Sequence, residues 1–408
     1  MKRLTEACLK QDLNDFPCVA ITGARQCGKT TLLKTLPADW RHFDLERASD
    51  RDLVATDPDL FLRLHPRHIA IDEAQLLPAL FPALRVAIDA ARQEKGRFVI
   101  TGSSSPALQH SLSESLAGRL AMIEMAPFAW CEVARPEIPP LAALLCDRAL
   151  GASDLVAAAR PRGTVETAHA YWFTGGYPEP WLSTSPRFRK RWTSQYVQTY
   201  LERDLGRLFP GLNQDRFRLF LQLLAGLSGK ITNCAELARA LGVSQPTARD
   251  YLEIAHGTFF WRRLPAFERN AMKRIVKHPR GYVRDSGLLH HLLRIPDLDA
   301  LRGHPVCGAS WEGMAVEELL RQFQALGESV EACYYRTSGG AEVDLVLDGG
   351  FGLLPVEVKY GSRHDSRDLR GLRDFVHERG CRLGLVINNA AEPRLLDDRI
   401  AGIPFTCL

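Results

Sequence analysis

The sequence predicts an α/β protein built on parallel sheet and divided into more than one domain. Three observations carry this. The chain has 408 residues, more than one ordinary hydrophobic core accommodates, so two or three domains are expected. Near its start, apolar runs such as Val19-Ala20-Ile21 and Ile69-Ala70-Ile71 end in polar or Gly-rich loops. That is the pattern of strands buried on both faces, with ligand-binding residues at their carboxyl ends. The first of these runs opens directly on Gly23-Ala24-Arg25-Gln26-Cys27-Gly28-Lys29-Thr30 and then Thr31-Leu32-Leu33. This is G-x-x-x-x-G-K-T between a strand and a helix, the phosphate-binding loop of nucleotide hydrolases.

In that loop Gly23 and Gly28 let the backbone wrap an anion without Cβ clashes, so that successive N–H groups point inward. Lys29 is expected at the β- and γ-phosphates of ATP, and the Thr30 hydroxyl at Mg²⁺. Gln26, Cys27 and Thr31 complete the expected nucleotide contacts, and the helix that begins here adds its positive end. A second strand is expected at His42–Glu46. A third is His68-Ile69-Ala70-Ile71-Asp72-Glu73. The two carboxylates at its end suit the Mg²⁺ shell (Asp72) and the polarisation of the attacking water (Glu73). Arg97–Ser104 supplies another strand, ending in Thr101 and Ser103, either of which suits sensing of the γ-phosphate. After it, Leu116-Ala117-Gly118-Arg119 closes a Ser-rich loop and helix. In a ring ATPase, Arg119 is placed to reach a neighbouring subunit's γ-phosphate.

Composition bounds the rest. At 46% hydrophobic and 25% charged residues the chain is of globular type, and a net charge of +4 limits any nucleic-acid footprint to a local patch. Ten cysteines lie scattered with no C-x-x-C pair, so reduced thiols and a cytoplasmic protein are expected. The start shows no apolar run of a signal peptide, and no stretch approaches the ~18 apolar residues of a membrane span.

Gly23–Thr30, Ile69–Glu73 with Gln75, Ile100–Ser103 and Leu116–Arg119 together resemble an AAA-type ATPase. More closely, they are similar to prokaryotic ATP-binding proteins that carry a C-terminal domain of unknown function with a nuclease-like core. The resemblance extends through Gly175-Gly176-Tyr177-Pro178-Glu179-Pro180 to the end of the chain. It implies an ATPase core, a winged-helix module and a restriction-endonuclease-like domain. The second sensor arginine that many AAA proteins carry has no counterpart that the sequence places.

Ala134–Pro140 breaks structure and is expected to end the first domain, with a helical, lid-like stretch from Leu141 to Arg160. Farther on, Asn233–Leu241 reads as a short helix with Asn233 as its cap. Gly242-Val243-Ser244 makes a turn, and Gln245 begins a second helix with Pro246 in its first turn. This is helix–turn–helix spacing, with wing strands expected at Phe259–Leu264 and Gly281–Arg284. A DNA-reading helix enters the major groove by its N-terminal residues, here Gln245, Thr247 and Arg249. From Arg262 to Arg284 eight basic residues, including Arg263, Lys273, Arg274 and Lys277, face one acid, Glu268. A local charge of +7 suits phosphate contact, and nonspecific contact more than base readout.

In the last stretch Gly308–Glu312 opens a helix, followed by three expected strands, Tyr334–Arg336, Ala341–Leu347 and Leu353–Tyr360. Asp344 lies on the second; Glu357 and Lys359 lie two apart on the third, and so on one face. The set Glu312, Asp344, Glu357-x-Lys359 resembles the metal site of the restriction-endonuclease-like superfamily, and its spacing is similar to that of Holliday junction resolvases. The resemblance implies Mg²⁺ on Asp344 and Glu357, with Glu312 completing the outer site and Lys359 activating the water. Val343 stands where a proline often precedes the aspartate. The same charges also suit an ion-pair set that binds nucleic acid or a partner without cleavage.

The sequence thus predicts an AAA-type P-loop ATPase core at 1–135, a helical lid and connector at 136–215, and a winged helix–turn–helix at 216–298. A PD-(D/E)xK nuclease-like domain follows at 299–408. The expected function is ATP binding and hydrolysis with Mg²⁺, acting on nucleic acid (DNA rather than RNA) in a homo-oligomer such as a ring, with a Mg²⁺-dependent nuclease domain. The alternative is an ATP-switched DNA-binding or regulatory protein whose nuclease-like domain does not cleave.

Overall fold

The computed structural model describes residues 1–103, 115–200, 205–206, 209, 211–268, 278–337, 339–362 and 368–408. They form two compact units, Met1–Pro127 with Gly257–Phe259, and Phe128–His256 with Phe260–Leu408.

The first unit is built on β1 (Cys18–Gly23), β2 (Arg41–Asp44), β3 (Ile69–Asp72), β4 (Phe98–Ser103) and β5 (Leu120–Met125), in the order β2-β3-β4-β1-β5. Every pairing is parallel. Alternate residues of a strand face opposite sides. Cys18, Ala20, Ile69, Ile71, Phe98 and Ile100 join Leu80, Leu84 and Ile88 of the Leu80–Ala90 helix in one cluster. Val19, Ile21, Ala70 and Val99 join Leu9, Leu32 and Leu33 in another. Both faces are therefore covered, which is why these strands read as unbroken apolar runs. β5 escapes the sequence reading because it is an edge strand: Met122 is exposed and only Ile123 and Met125 are buried. Parallel register gathers the carboxyl ends together, with Gly23 opposite both Ser103 and Met125.

The second unit contains a helix pair and two sheets. Asn233 Oδ1 accepts from Ala235 N at 2.9 Å and starts the Cys234–Leu241 helix. Gly242 ends it with φ 63°, the left-handed conformation that glycine adopts without penalty. Ser244 Oγ then accepts from Thr247 N at 3.2 Å within the first turn of the Gln245–Gly257 helix. The small sheet is antiparallel: β6 (Lys230–Ile231), β7 (Trp261–Leu264) and β8 (Arg280–Val283), ordered β6-β8-β7. The larger sheet comprises β9 (Val330–Arg336), β10 (Glu342–Gly349), β11 (Gly352–Val358), β12 (Gly384–Asn388), β13 (Arg394–Asp397) and β14 (Ile400–Pro404), ordered β13-β14-β12-β11-β10-β9. Tyr334 N donates to Pro265 O at 2.9 Å, so β9 is stitched to the segment that follows β7.

Between these parts runs the Cys307–Ala325 helix, which buries polar as well as apolar side chains, among them the acids Glu317 and Glu318 and the amide Gln322. Glu318 Oε2 accepts from Trp130 N at 2.8 Å, and Gln322 Oε1 accepts from Ala142 N at 3.2 Å. Trp130 is 1% exposed and its Nε1 donates to Thr406 O at 3.2 Å. For this reason the chain passes to the second unit after Pro127, ahead of the Pro-rich break at 136–140. Among the described residues no helix is long and apolar enough to cross a membrane.

Candidate nucleotide site and carboxylate cluster

The loop after β1 is shaped by two glycines. A Cβ on Gly23 would strike the Met125 carbonyl of the neighbouring strand, and Gly28, at φ 105°, turns the chain into the short Lys29–Leu33 helix. Cys27 is fully buried, whereas Gln26, Thr30 and Thr31 are exposed. Lys29 is 5% exposed and its Nζ donates to the loop's own carbonyls, Gly23 O at 3.1 Å and Ala24 O at 3.0 Å. A lysine held over the loop in this way needs only exchange two carbonyls for phosphate oxygens.

Asp72 is the hub of the site. Its Oδ2 accepts from Thr30 Oγ1 at 2.6 Å, and its Oδ1 accepts from Thr101 Oγ1 and from Glu73 N, the latter at 3.2 Å. β1, β3 and β4 therefore deliver Thr30, Asp72 and Thr101 to one point. A hydroxyl and a carboxylate in contact make an oxygen-only donor pair, the chemistry a hard cation such as Mg²⁺ requires, with phosphates and water as its other ligands. Glu73 sits at φ 56° just beyond β3 and accepts from Gln75 Nε2. Ser103 closes β4 opposite Gly23.

Sequence reasoning missed Arg3. Its Nη1 donates to Cys27 O at 2.7 Å and its Nη2 to Ala126 O at 2.6 Å, tying the back of the loop to the end of β5. No motif marks a lone arginine ahead of the first helix. Arg119 is at the opposite, amino-terminal end of β5. It precedes Leu120, which pairs with Cys18, whereas the loop leaves from Gly23. At ~3.3 Å per strand residue this places it about 17 Å from its own phosphate loop. Its Nε and Nη2 hold Asp89 at 2.7 and 2.9 Å.

In the second unit the structure brings Glu312, Asp344, Glu357 and Lys359 together, and adds Arg280 and Tyr282 from β8. Arg280 Nη1 donates to Glu312 Oε1 at 3.1 Å and to Asp344 Oδ1 at 3.2 Å, while Nη2 pairs with Glu342. Tyr282 donates to Glu312 Oε1. Asp344 Oδ2 accepts from Val358 N at 2.9 Å, and Glu357 Oε1 accepts from Lys359 Nζ at 2.7 Å. Burial, reinforced by the charge of Asp344, pushes the carboxyls of both Glu312 and Glu357 up. Burial opposes the charge on Lys359, but Glu357, Asp344 and Asp368 together outweigh it and raise the ammonium's pKa. Among the described residues, no group of three or more His, Cys, Asp or Glu side chains is disposed to hold a metal ion. As the cluster stands, the cation between Glu312 and Asp344 is a guanidinium.

The basic stretch is also rearranged. Arg262 donates to Glu317 from Nε at 2.5 Å and Nη2 at 3.1 Å, and Arg284 Nε donates to the same carboxylate at 3.1 Å. Arg262, Arg280 and Arg284 are internal counter-ions, which takes Arg262 out of the expected phosphate-contacting set. Arg263 is at the surface, paired with Glu253. Lys273, Arg274 and Lys277 lie outside the described residues. On the second helix of the pair Gln245 and Arg249 are exposed, while the half-buried Thr247 shares its hydroxyl with Ser244 at 2.8 Å.

Comparison with known proteins agrees with the first unit. Residues 15–134 match a model described as an AAA domain, and residues 165–299 and 307–408 match two domains of unknown function, DUF8612 and DUF4143. Uncharacterized protein Rv2008c of Mycobacterium tuberculosis is 37% identical over 349 residues, covering 85% of this chain and 71% of that protein. Uncharacterized protein Mb2031c of Mycobacterium bovis matches to the same extent. Among solved structures, the Walker-type ATPase PABY2304 of Pyrococcus abyssi is 15% identical with a TM-score of 0.42, covering 71% of this chain and 94% of that one. A structure of Drosophila ORC bound to DNA is 12% identical with a TM-score of 0.24, covering 68% and 90%. The chain belongs to the family of these two mycobacterial proteins, and its first unit is an AAA-type P-loop ATPase domain.

Proposed function

We propose that this ATPase hydrolyses ATP with Mg²⁺ to control engagement of nucleic acid, DNA rather than RNA, by the second unit. The contact of Thr30 Oγ1 with Asp72 Oδ2 at 2.6 Å, beside the buried Lys29, carries the nucleotide part of this reading. Thr30 and Asp72 would hold Mg²⁺, which neutralises charge on the phosphates when bound. Lys29 releases the Gly23 and Ala24 carbonyls for the β- and γ-phosphates, and Glu73 orients the attacking water. Thr101 keeps Asp72 in place through its hydrogen bond, and Ser103 is assigned to the γ-phosphate. Arg119 leaves Asp89 to act on a neighbouring copy, because its own loop is out of reach; this makes the active form a homo-oligomer.

In the second unit we read residues 136–215 as helical lid and connector, 216–298 as a winged helix–turn–helix, and 299–408 as a restriction-endonuclease-like fold. Gln245 and Arg249 are exposed at the start of the second helix, which supports DNA contact there. Of the two outcomes for the nuclease-like set, the pairing of Arg280 with both Glu312 and Asp344 favours binding without cleavage in this arrangement.

Two assays test these parts separately. ATP hydrolysis that persisted undiminished in Lys29→Ala would sink the nucleotide site. Incubation with branched, linear and single-stranded DNA, and with RNA, in Mg²⁺ addresses the second unit. No cleavage of any substrate supports the reading; cleavage by wild type that disappears in Asp344→Ala overturns it in favour of an active nuclease.

A further inference from the structure

We infer that Arg280 is a built-in cation that keeps divalent metal ions out of the Glu312–Asp344 cluster, so that the cluster takes a metal only when β8 gives up this contact. The inference deepens the non-cleaving reading and rests on it in one respect, namely that these carboxylates are a cation site rather than a fixed ion-pair core.

The geometry of the guanidinium is the first support. One nitrogen, Nη1, is shared between an oxygen of Glu312 at 3.1 Å and an oxygen of Asp344 at 3.2 Å, and these residues come from a helix and a strand far apart in sequence. A point shared by two carboxylate oxygens from different elements is where a cation binds. Mg²⁺ demands oxygen ligands at about 2.0–2.1 Å, so it cannot occupy that point beside a guanidinium nitrogen. The two cations are mutually exclusive.

The second support is independent of Arg280. Glu357 is 6% exposed, and its Oε2 has no hydrogen-bond partner. It lies on β11 next to the residue pair Leu345–Val356 that aligns this strand with β10, and so neighbours Asp344. A buried carboxylate oxygen without a donor costs free energy that a structural ion pair ordinarily avoids by satisfying every atom. A cluster with an orphaned buried acceptor is not a finished salt-bridge core. It is a ligand set in which a side chain stands in for the ion.

The connection to the rest of the unit follows from the strand. Arg280 and Tyr282 are two apart on β8, on one face, and both reach Glu312. β8 is the central strand of the small sheet, paired with β6 ahead of the helix pair and with β7 behind it. Whatever shifts β8 moves both groups off Glu312 together.

The test is Mn²⁺ binding to the nucleotide-free full chain, counted by electron paramagnetic resonance of the free ion. Wild type, Arg280→Met, Arg280→Met with Asp344→Asn, and Arg280→Lys are compared. Arg280→Met is expected to gain one site per chain, tighter than wild type by on the order of a hundredfold, because the ion no longer breaks a buried pair. Adding Asp344→Asn removes the gain, and Arg280→Lys, which keeps a cation, behaves as wild type. Equal Mn²⁺ binding by wild type and Arg280→Met overturns the inference, as does a gain that survives Asp344→Asn. Glu342→Gln removes the partly exposed partner that Arg280 shares with Arg336 and answers the question if Arg280→Met does not fold: tighter Mn²⁺ binding supports the inference, and unchanged binding overturns it. The count needs neither ATP nor DNA, so it stands or falls apart from the ATPase and cleavage assays.

Discussion

Replacing Glu317 by glutamine tests the joint on which the second unit turns. Its carboxylate is 2% exposed and receives Arg262 from β7 and Arg284 from just after β8, with Arg321 of its own helix at 4.0 Å. Burial alone would raise its pKa, but Arg262 and Arg284 outweigh burial and hold it down at about 2, against 4.5 for a free glutamate. At 1.36 kcal/mol per unit this difference is worth about 3 kcal/mol. The same size is expected for breaking a buried pair and stranding its partners. Because the folded-state pKa is the lower one, the contribution is fully present at pH 7 and is lost as pH falls from about 4.5 toward 2. Urea unfolding followed by tryptophan fluorescence reports mainly this unit, since Trp40 is the one tryptophan of the first. With an m-value of ~2 kcal/mol/M, E317Q is expected to lower the midpoint by about 1.5 M at pH 7. By pH 3 roughly half of that gap or less remains. Equal midpoints at pH 7, or a gap of undiminished size at pH 3, would refute the reasoning.

Three further outcomes follow from the first unit. Arg3→Ala removes the charge-assisted hydrogen bonds to Cys27, Ala126 and Pro127 behind the phosphate loop and is expected to weaken ATP binding by about tenfold, ~1.4 kcal/mol, measured by calorimetry; unchanged affinity would show that the loop holds its shape without Arg3. Gly23→Ala places a methyl against the Met125 carbonyl and is expected to abolish ATP binding while leaving the second unit's unfolding midpoint in place; near-normal binding would mean that β5 yields easily. Arg119→Ala is expected to leave ATP binding intact but to remove any rise of turnover with protein concentration, and a rise that persists in the variant would exclude a contribution in trans.

Much of the nucleotide site is legible because its chemistry is local in sequence. Gly23, Gly28, Lys29 and Thr30 lie within one loop, and the Asp72–Glu73 pair ends a strand whose apolar run announces it. The Thr30–Asp72 contact follows from placing both at the carboxyl ends of parallel strands. Arg3 is invisible because its partners are backbone carbonyls, which leave no trace in side-chain identity. The basic stretch misleads for a different reason. A count from Arg262 to Arg284 sees Glu268 as the only acid, yet Glu317, Glu312, Glu342 and Asp344 arrive from a helix and a strand far along the chain. Only folding reveals that these acids already match Arg262, Arg280 and Arg284. β13 and β14 likewise escape, since short strands completed by neighbours from elsewhere carry weak periodicity of their own.

The Cys307–Ala325 helix has a consequence for how this protein can be dissected. Its side chains cap the backbone of Trp130 and Ala142, neutralise Arg262 and Arg284, and meet Arg280, so its acids serve segments that a boundary at residue 307 would discard. A fragment cut there would leave Glu312, Glu317 and Glu318 facing water or apolar side chains in place of their cations and amides. The three stretches matched by separate family models are therefore not three interchangeable modules: the last two, together with the chain from Phe128 onward, must be inherited, expressed and mutated as a single piece.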